Sequence, residues 1–220
     1  MPGGTGEGRR HLAVLDCNIY LDAARLVGPP FSWPRFDAEV ARTVREPLPH
    51  PTDRAYDSLR AIAGCTSGRF AGHESLEVWT NSHIDKIVRG KAMQPSTPGT
   101  NPNQGSGLGW TRDDADALVQ ELVHGLMARS SGGTMGEHYP HGNPPLDHED
   151  GMVFGACKEL VSEDPLASVY CVTRDKGFLD ASASGQLGTH VVVLSPAKFV
   201  ALLRAARARY SIQNMPAPRT

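Results

Sequence analysis

Four aspartates stand where a strand would end or a helix would begin: Asp16, Asp85, Asp150 and Asp175. Asp16 directly follows the apolar run Leu12 to Leu15, and Asp175 follows Val169 to Thr173, a run rich in β-formers. Asp150 closes Asp147-His148-Glu149-Asp150, which gathers three acids and a histidine in four consecutive positions. A carboxylate taken out of water costs several kcal/mol unless it is paired or holds a metal. Crowded carboxylates repel one another until a proton or a cation intervenes. Oxygen ligands of this kind suit a hard divalent ion, Mg2+ or Mn2+. An ion so held can bind a phosphodiester oxygen, lower the pKa of an attacking water and stabilise the leaving oxygen.

Each acid also has a plain structural use. Asp16 can cap the helix that Ile19, Tyr20 and Leu21 begin, and Asp175-Lys176-Gly177 is good turn chemistry. Ser82-x-x-Asp85 and Asp147-x-x-Asp150 have the spacing of capping boxes. A cap contributes about 1 kcal/mol and explains two carboxylates near residue 150. It leaves Glu149, and the repulsion within that group, without an explanation.

The elements that must position these residues alternate. Strands are expected at 12–15, 76–79, 167–173 and 191–194, with Glu77 an outward residue of the second. Helices are expected at 36–45 (Phe36, Val40, Val44 inward) and at 53–63, capped by Thr52 and stopped by Gly64. Asn81 or Ser82 opens a helix with Ile84, Ile87 and Val88 inward. Thr111-x-x-Asp114 opens another, whose apolar stripe runs from Ala115 to Met127 with His124 half-exposed beside it. A buried helix follows Asp147, and Ser195-Pro196 opens a last one carrying Arg204, Arg207 and Arg209 on its outer side. This order predicts an α/β fold, a parallel sheet sandwiched between helices, with strand ends and helix N-termini on one edge.

Residues 1–10 read as a leader, 11–210 as one domain with insertions at 29–72 and 93–145, and 211–220 as a tail. Residues 93–109 have linker composition. The loop-like stretch 130–145 holds His138 and His141, near His148, in a spacing that fits no standard zinc pattern. With 22 Lys plus Arg against 24 Asp plus Glu, the formal net charge of −2 argues against a general nucleic-acid coat. No stretch approaches the length of a membrane span, and residues 1–10 lack the apolar core of a signal peptide. Cys17, Cys65, Cys157 and Cys171 form no C-x-x-C pair, and they read as small buried hydrophobes of a protein in the reducing cytoplasm.

Val14-Leu15-Asp16-Cys17-Asn18 resembles the opening motif of PIN domains, which runs strand, Asp, small residue, Asn or Ser. Asp147-x-x-Asp150-Gly151-x-Val153 is similar to the family's acidic helix start, Thr173-Arg174-Asp175-x-x-Phe178 to its late Thr-x-Asp-x-x-Phe motif, and Ser195-Pro196-x-x-Phe199 to the usual sequel. The resemblance implies a parallel α/β/α sandwich and a Mg2+- or Mn2+-dependent endoribonuclease, often a bacterial toxin. On it, Asp16, Asp150 and Asp175 hold the metal, and Asn18 and Thr173 orient those carboxylates or the water. The family's second acid aligns with Ile87. Asp85, half a turn earlier, either substitutes as a ligand or leaves the site one ligand short. The resemblance implies RNA as substrate and opens two protein partners, an antitoxin and a second copy of the chain as a homodimer. A non-catalytic PIN-like module that binds RNA or protein is the alternative. An aspartate-nucleophile phosphatase needs a second Asp two residues after the first, where this chain has Asn18.

Overall fold

The computed structural model describes residues 8–45, 54–96, 107–136 and 146–215. Strand β1 (Arg10–Leu15) is buried at every position after Arg10. Successive strand residues point to opposite faces, so unbroken burial means that both faces are covered. β1 is the middle of a five-stranded, all-parallel sheet ordered β3-β2-β1-β4-β5, with β2 at Ser75–Asn81, β3 at Thr134–Met135, β4 at Ser168–Val172 and β5 at Val191–Leu194. Ala13 lies opposite Val78 on β2 and Tyr170 on β4, and Leu15 opposite Val172. The chain leaves β1 toward β2 and β3, then returns to β1's other side for β4 and β5. The β1–β4 boundary is therefore the topological switch point, and the carboxyl ends of those strands flank it.

Helix α1 (Cys17–Val27) follows β1 at once, and α2 (Trp33–Arg45) and α3 (Ala55–Cys65) occupy the stretch expected as the first insertion. α4 (Ser82–Met93) follows β2. α5 (Arg112–Leu118) runs without interruption into a π-helical turn, Val119–His124, and then α6 (Gly125–Arg129). α7 (His148–Glu163) precedes β4, α8 (Lys176–Ala183) lies between β4 and β5, and α9 (Pro196–Gln213) follows β5. Tyr20, Ile19, Phe36, Leu118, Phe178 and Phe199 are among the fully buried side chains. All four cysteines are buried and free. Among the described residues no helix is long and apolar enough to cross a membrane.

Several local expectations are corrected. Val44 is 83% exposed, because the stripe of α2 that meets the core runs through Trp33, Phe36, Val40 and Thr43. Gly64 lies inside α3 and does not end it; a Cβ there would stand 2.8 Å from a methyl of Leu203, so its bareness lets α9 pack closely. Glu77 is buried, where its carboxylate binds the Arg10 guanidinium at 2.6 and 2.9 Å. Burial raises the Glu77 pKa, but the Arg10 hydrogen bonds and charge outweigh it and hold the carboxyl below its ordinary value. Arg207 donates to the carbonyls of Gly64, Arg69 and Phe70, tying α9 to the end of α3. Within the loop-like stretch, Thr134 and Met135 pair with Thr80 and Asn81. Gly132 permits the approach, since a Cβ would lie 1.8 Å from the Val78 carbonyl oxygen. α9 continues to Gln213 into the expected tail. Thr52, His138, His141 and residues 97–106 lie outside the described residues.

Candidate active-site rim at the β1–β4 switch point

All strands are parallel, so their carboxyl ends share one edge, and the helices that leave or return to them begin there. Asp16 stands directly after β1. Its N–H extends the ladder to Val172 of β4 at 2.9 Å, and the Thr173 N–H extends the next ladder to Leu194 at 3.0 Å. Both residues are thereby fixed by sheet hydrogen bonds and not by loop packing. Asp16 occupies the N-cap position of α1 but makes no side-chain cap, which corrects that reading of it. Its Oδ2 accepts instead from Thr173 Oγ1 at 2.8 Å and Asn18 Nδ2 at 3.2 Å. Burial pushes the Asp16 carboxyl up, the Thr173 and Asn18 hydrogen bonds hold it back, and the charge of Asp175 adds to the rise.

The other two acids sit at helix starts. Asp175 caps α8, accepting from the Phe178 N–H at 2.8 Å, so Asp175-Lys176-Gly177 opens a helix where a turn was expected. The Asp175 N–H is held by Thr173 Oγ1 at 3.0 Å, which makes Thr173 the link between both strand-end acids. Asp147 caps α7 through the Asp150 N–H at 2.9 Å, as the spacing implies. Burial raises the Asp150 carboxyl to about 7, helped by the charges of Asp16, Asp147, Asp175 and Glu149. Burial also raises the Cys17 thiol well above its ordinary value, with the charges of Asp16, Glu149 and Asp150 contributing. Residues from three separated stretches of chain thus share one negative field.

Charge and donor type fit a hard divalent ion: the groups are carboxylate oxygens, and a cation would offset the repulsion that lifts Asp150. Ligand geometry is less complete. Among the described residues no three His, Cys, Asp or Glu side chains come together as a metal-holding set. The oxygens are turned to local work, Asp175 Oδ1 to Phe178, Asp147 Oδ1 to Asp150 and Asp16 Oδ2 to Thr173 and Asn18.

No family model, no curated protein and no solved structure matches the chain.

Asp85 is placed differently from the other three. The cap of α4 is Asn81, whose Oδ1 accepts from the Ile84 N–H at 2.8 Å, so Ser82-x-x-Asp85 is not the capping box. Asp85 Oδ2 instead lies 2.7 Å from His124 Nε2. The ring of His83 on α4 stands edge-on to His148 of α7, centroids 5.8 Å apart, so the starts of these two helices are neighbours.

Sequence reasoning missed a buried network beneath the rim. Asp22 on α1 is 3% exposed and accepts from Ser58 Oγ at 2.6 Å and from the guanidinium of Arg174. Arg25 approaches the other Asp22 oxygen at 3.7 Å. Arg174 stands between Thr173 and Asp175, so this pair bolts the acid-bearing loop to α1. One signal was available: an aspartate inside an otherwise apolar helix start needs a partner.

Proposed function

We propose that the rim of Asp16, Asp150 and Asp175 is the centre of a PIN-type, Mg2+- or Mn2+-dependent endoribonuclease. The observation that carries this reading is geometric: one hydroxyl, Thr173 Oγ1, bonds both Asp16 Oδ2 at 2.8 Å and the Asp175 N–H at 3.0 Å, gathering two strand-end acids whose charges, after burial and beside those of Asp147 and Glu149, raise the Asp150 carboxyl. Natural cores avoid such uncompensated charge, and functional sites collect it. Asp16, Asp150 and Asp175 would hold the ion, with Asp85 a fourth candidate. When bound, the ion would supply a Lewis acid for the scissile phosphate and an acidified water. Thr173 and Asn18 fix the Asp16 carboxylate, and Thr173 also holds the Asp175 backbone. Asp150 exchanges its proton near neutral pH, so it can ionise as positive charge arrives.

The same reading makes RNA the substrate, admits an antitoxin protein or a second copy of the chain as partner, and gives a cytoplasmic address. The test is incubation of the purified protein with assorted structured RNAs, with Mn2+ and with EDTA. Cleavage in Mn2+ that EDTA abolishes, and that Asp16→Asn loses, is the expected result. The second reading, a non-catalytic PIN-like module, is favoured by the lack of three converging ligands among the described residues. It expects RNA or protein binding that is the same in Mn2+ and in EDTA, with no cleavage in either.

A further inference from the structure

Helices α2, α3 and α9 leave a groove between them, with a cavity of about 240 Å3. Its wall is apolar: Val40 and Val44 from α2, Ala63 from α3, and Val200 and Leu203 from α9. Within each helix these residues stand three or four apart and so share one face. Val44, 83% exposed, marks the mouth. Thr43 turns its hydroxyl to the Val40 carbonyl at 2.8 Å, so the wall adds no polar hook of its own.

Three arginines flank this wall, Arg60, Arg204 and Arg207, and no acid lines it. Arg207 donates to neutral backbone carbonyls. Arg204 is exposed, and no carboxylate among the described residues pairs with it. Arg60 approaches Asp57 only at 3.9 Å. Helix α9 as a whole carries Lys198, Arg204, Arg207 and Arg209 and no Asp or Glu.

These properties select an occupant. The cavity is smaller than the about 300–1,000 Å3 of a small-molecule pocket and suits single apolar side chains. Bases of a bound nucleic acid need aromatic faces to stack on, and the lining has none. An apolar strip between positive charges fits a helix whose apolar stripe runs between carboxylates. The lining of α9 from Val200 to Arg207 is about 10 Å long, enough to face two anchors one turn apart. Arg207 also locates the groove. The Phe70 whose carbonyl it binds stacks on His11 at 3.5 Å, and His11 stands five residues, roughly 16 Å of strand, before Asp16. That end of the groove therefore lies at the amino edge of the sheet, opposite the rim.

We infer that this groove docks an acidic amphipathic helix of a protein partner, with apolar side chains in the cavity and carboxylates on Arg60 and Arg204. Seated there, the partner leaves the rim uncovered. The contact uses no rim residue, so it stands apart from the reading of the rim as a metal centre.

The test uses the full chain in EDTA and a labelled synthetic peptide of about 14 residues, with leucines at i, i+3 and i+7 between flanking glutamates. Fluorescence anisotropy should show it binding at least about 10-fold tighter than a scrambled peptide of the same composition, and more weakly as salt rises. Val44→Asp puts a carboxylate at the mouth, and Arg204→Glu reverses a flanking charge. Each should weaken binding by about 10-fold or more. Both positions are exposed, so neither change disturbs the core. No binding, equal binding of the scrambled peptide, or wild-type binding by either variant overturns the inference. So does a single-stranded RNA that binds the wild type and not Arg204→Glu while the peptide binds neither, which would make the groove a nucleic-acid surface. Self-association in sedimentation that Val44→Asp abolishes would make a second copy of the chain the occupant, and overturns the inference equally.

Discussion

Thr173 Oγ1 donates to Asp16 Oδ2 at 2.8 Å across 157 residues of chain, joining the carboxyl ends of β4 and β1. The same oxygen accepts from the Asp175 N–H, so one hydroxyl sets two acids at the switch point. Thr173→Val keeps the shape and removes both bonds. A buried carboxylate then loses a donor and a backbone N–H loses its acceptor, which should cost about 1–3 kcal/mol in urea denaturation. Thr173→Ser should recover most of it. A valine variant as stable as the wild type would show that the hydroxyl fixes nothing.

Asp22→Ala should be more damaging than any single change at the rim. It leaves the Arg174 guanidinium, 13% exposed, without its carboxylate and Ser58 without its acceptor. Breaking a buried pair from one side costs about 3–5 kcal/mol. The midpoint of chemical unfolding measures it, and a change under 1 kcal/mol (about the worth of a surface pair) would contradict the buried geometry.

The pH dependence follows from Asp150. Its carboxyl titrates at about 7 in the folded chain and in the ordinary acid range when unfolded. Between those values the folded state binds the extra proton, so this group's contribution to stability falls as pH rises toward 7 and is constant above it. Asp150 is partly solvent-exposed, and screening holds the effect to on the order of 1 kcal/mol. Mn2+ should therefore raise Tm more at about pH 8 than at about pH 5, where the carboxyl is protonated and cannot serve as a ligand. An equal rise at both values would remove Asp150 from the site.

Gly132→Ala tests the sheet edge that leads to α4. The added Cβ would meet the Val78 carbonyl oxygen at 1.8 Å, and backbone cannot step aside as a side chain can. Loss of the β2–β3 pairing should appear as faster amide exchange at Thr80, whose N–H donates to the Gly133 carbonyl at 3.1 Å. Unchanged protection there would show that β3 is placed wrongly.

Much of this was legible in the sequence where burial and periodicity agree. The apolar runs gave β1 and β4, because strands covered on both faces carry no polar alternation; the β-formers Val191–Leu194 gave β5, an edge strand that leaves Val192 43% exposed where a buried strand was expected, and Ser195-Pro196 marked the start of α9. All four aspartates stand at a strand end or in a first helical turn, and a parallel sheet puts both at one edge. What could not be read was partner choice. Nothing near Asp85 in sequence points to His124, and nothing near Asp22 points to Ser58 or Arg174; those contacts are made by tertiary packing. Asp16 and Asp175 show the same limit from the other side. Both stand at N-cap positions, yet only Asp175 uses its side chain as a cap, while Asp16 turns Oδ2 to Thr173 and Asn18.

The central claim is that separated acids share one rim and take up a divalent ion. The most direct measurement is Tm in EDTA and in saturating Mn2+, for the wild type and for Asp16→Asn. At about 100 times the dissociation constant the ion should add about 2.7 kcal/mol, a rise of about 5–10 °C for a chain of this length. Asp16→Asn should match the wild type in EDTA to within a few degrees and gain nothing from Mn2+. A wild type that does not respond to Mn2+, or an Asp16→Asn variant that responds equally, would contradict the account.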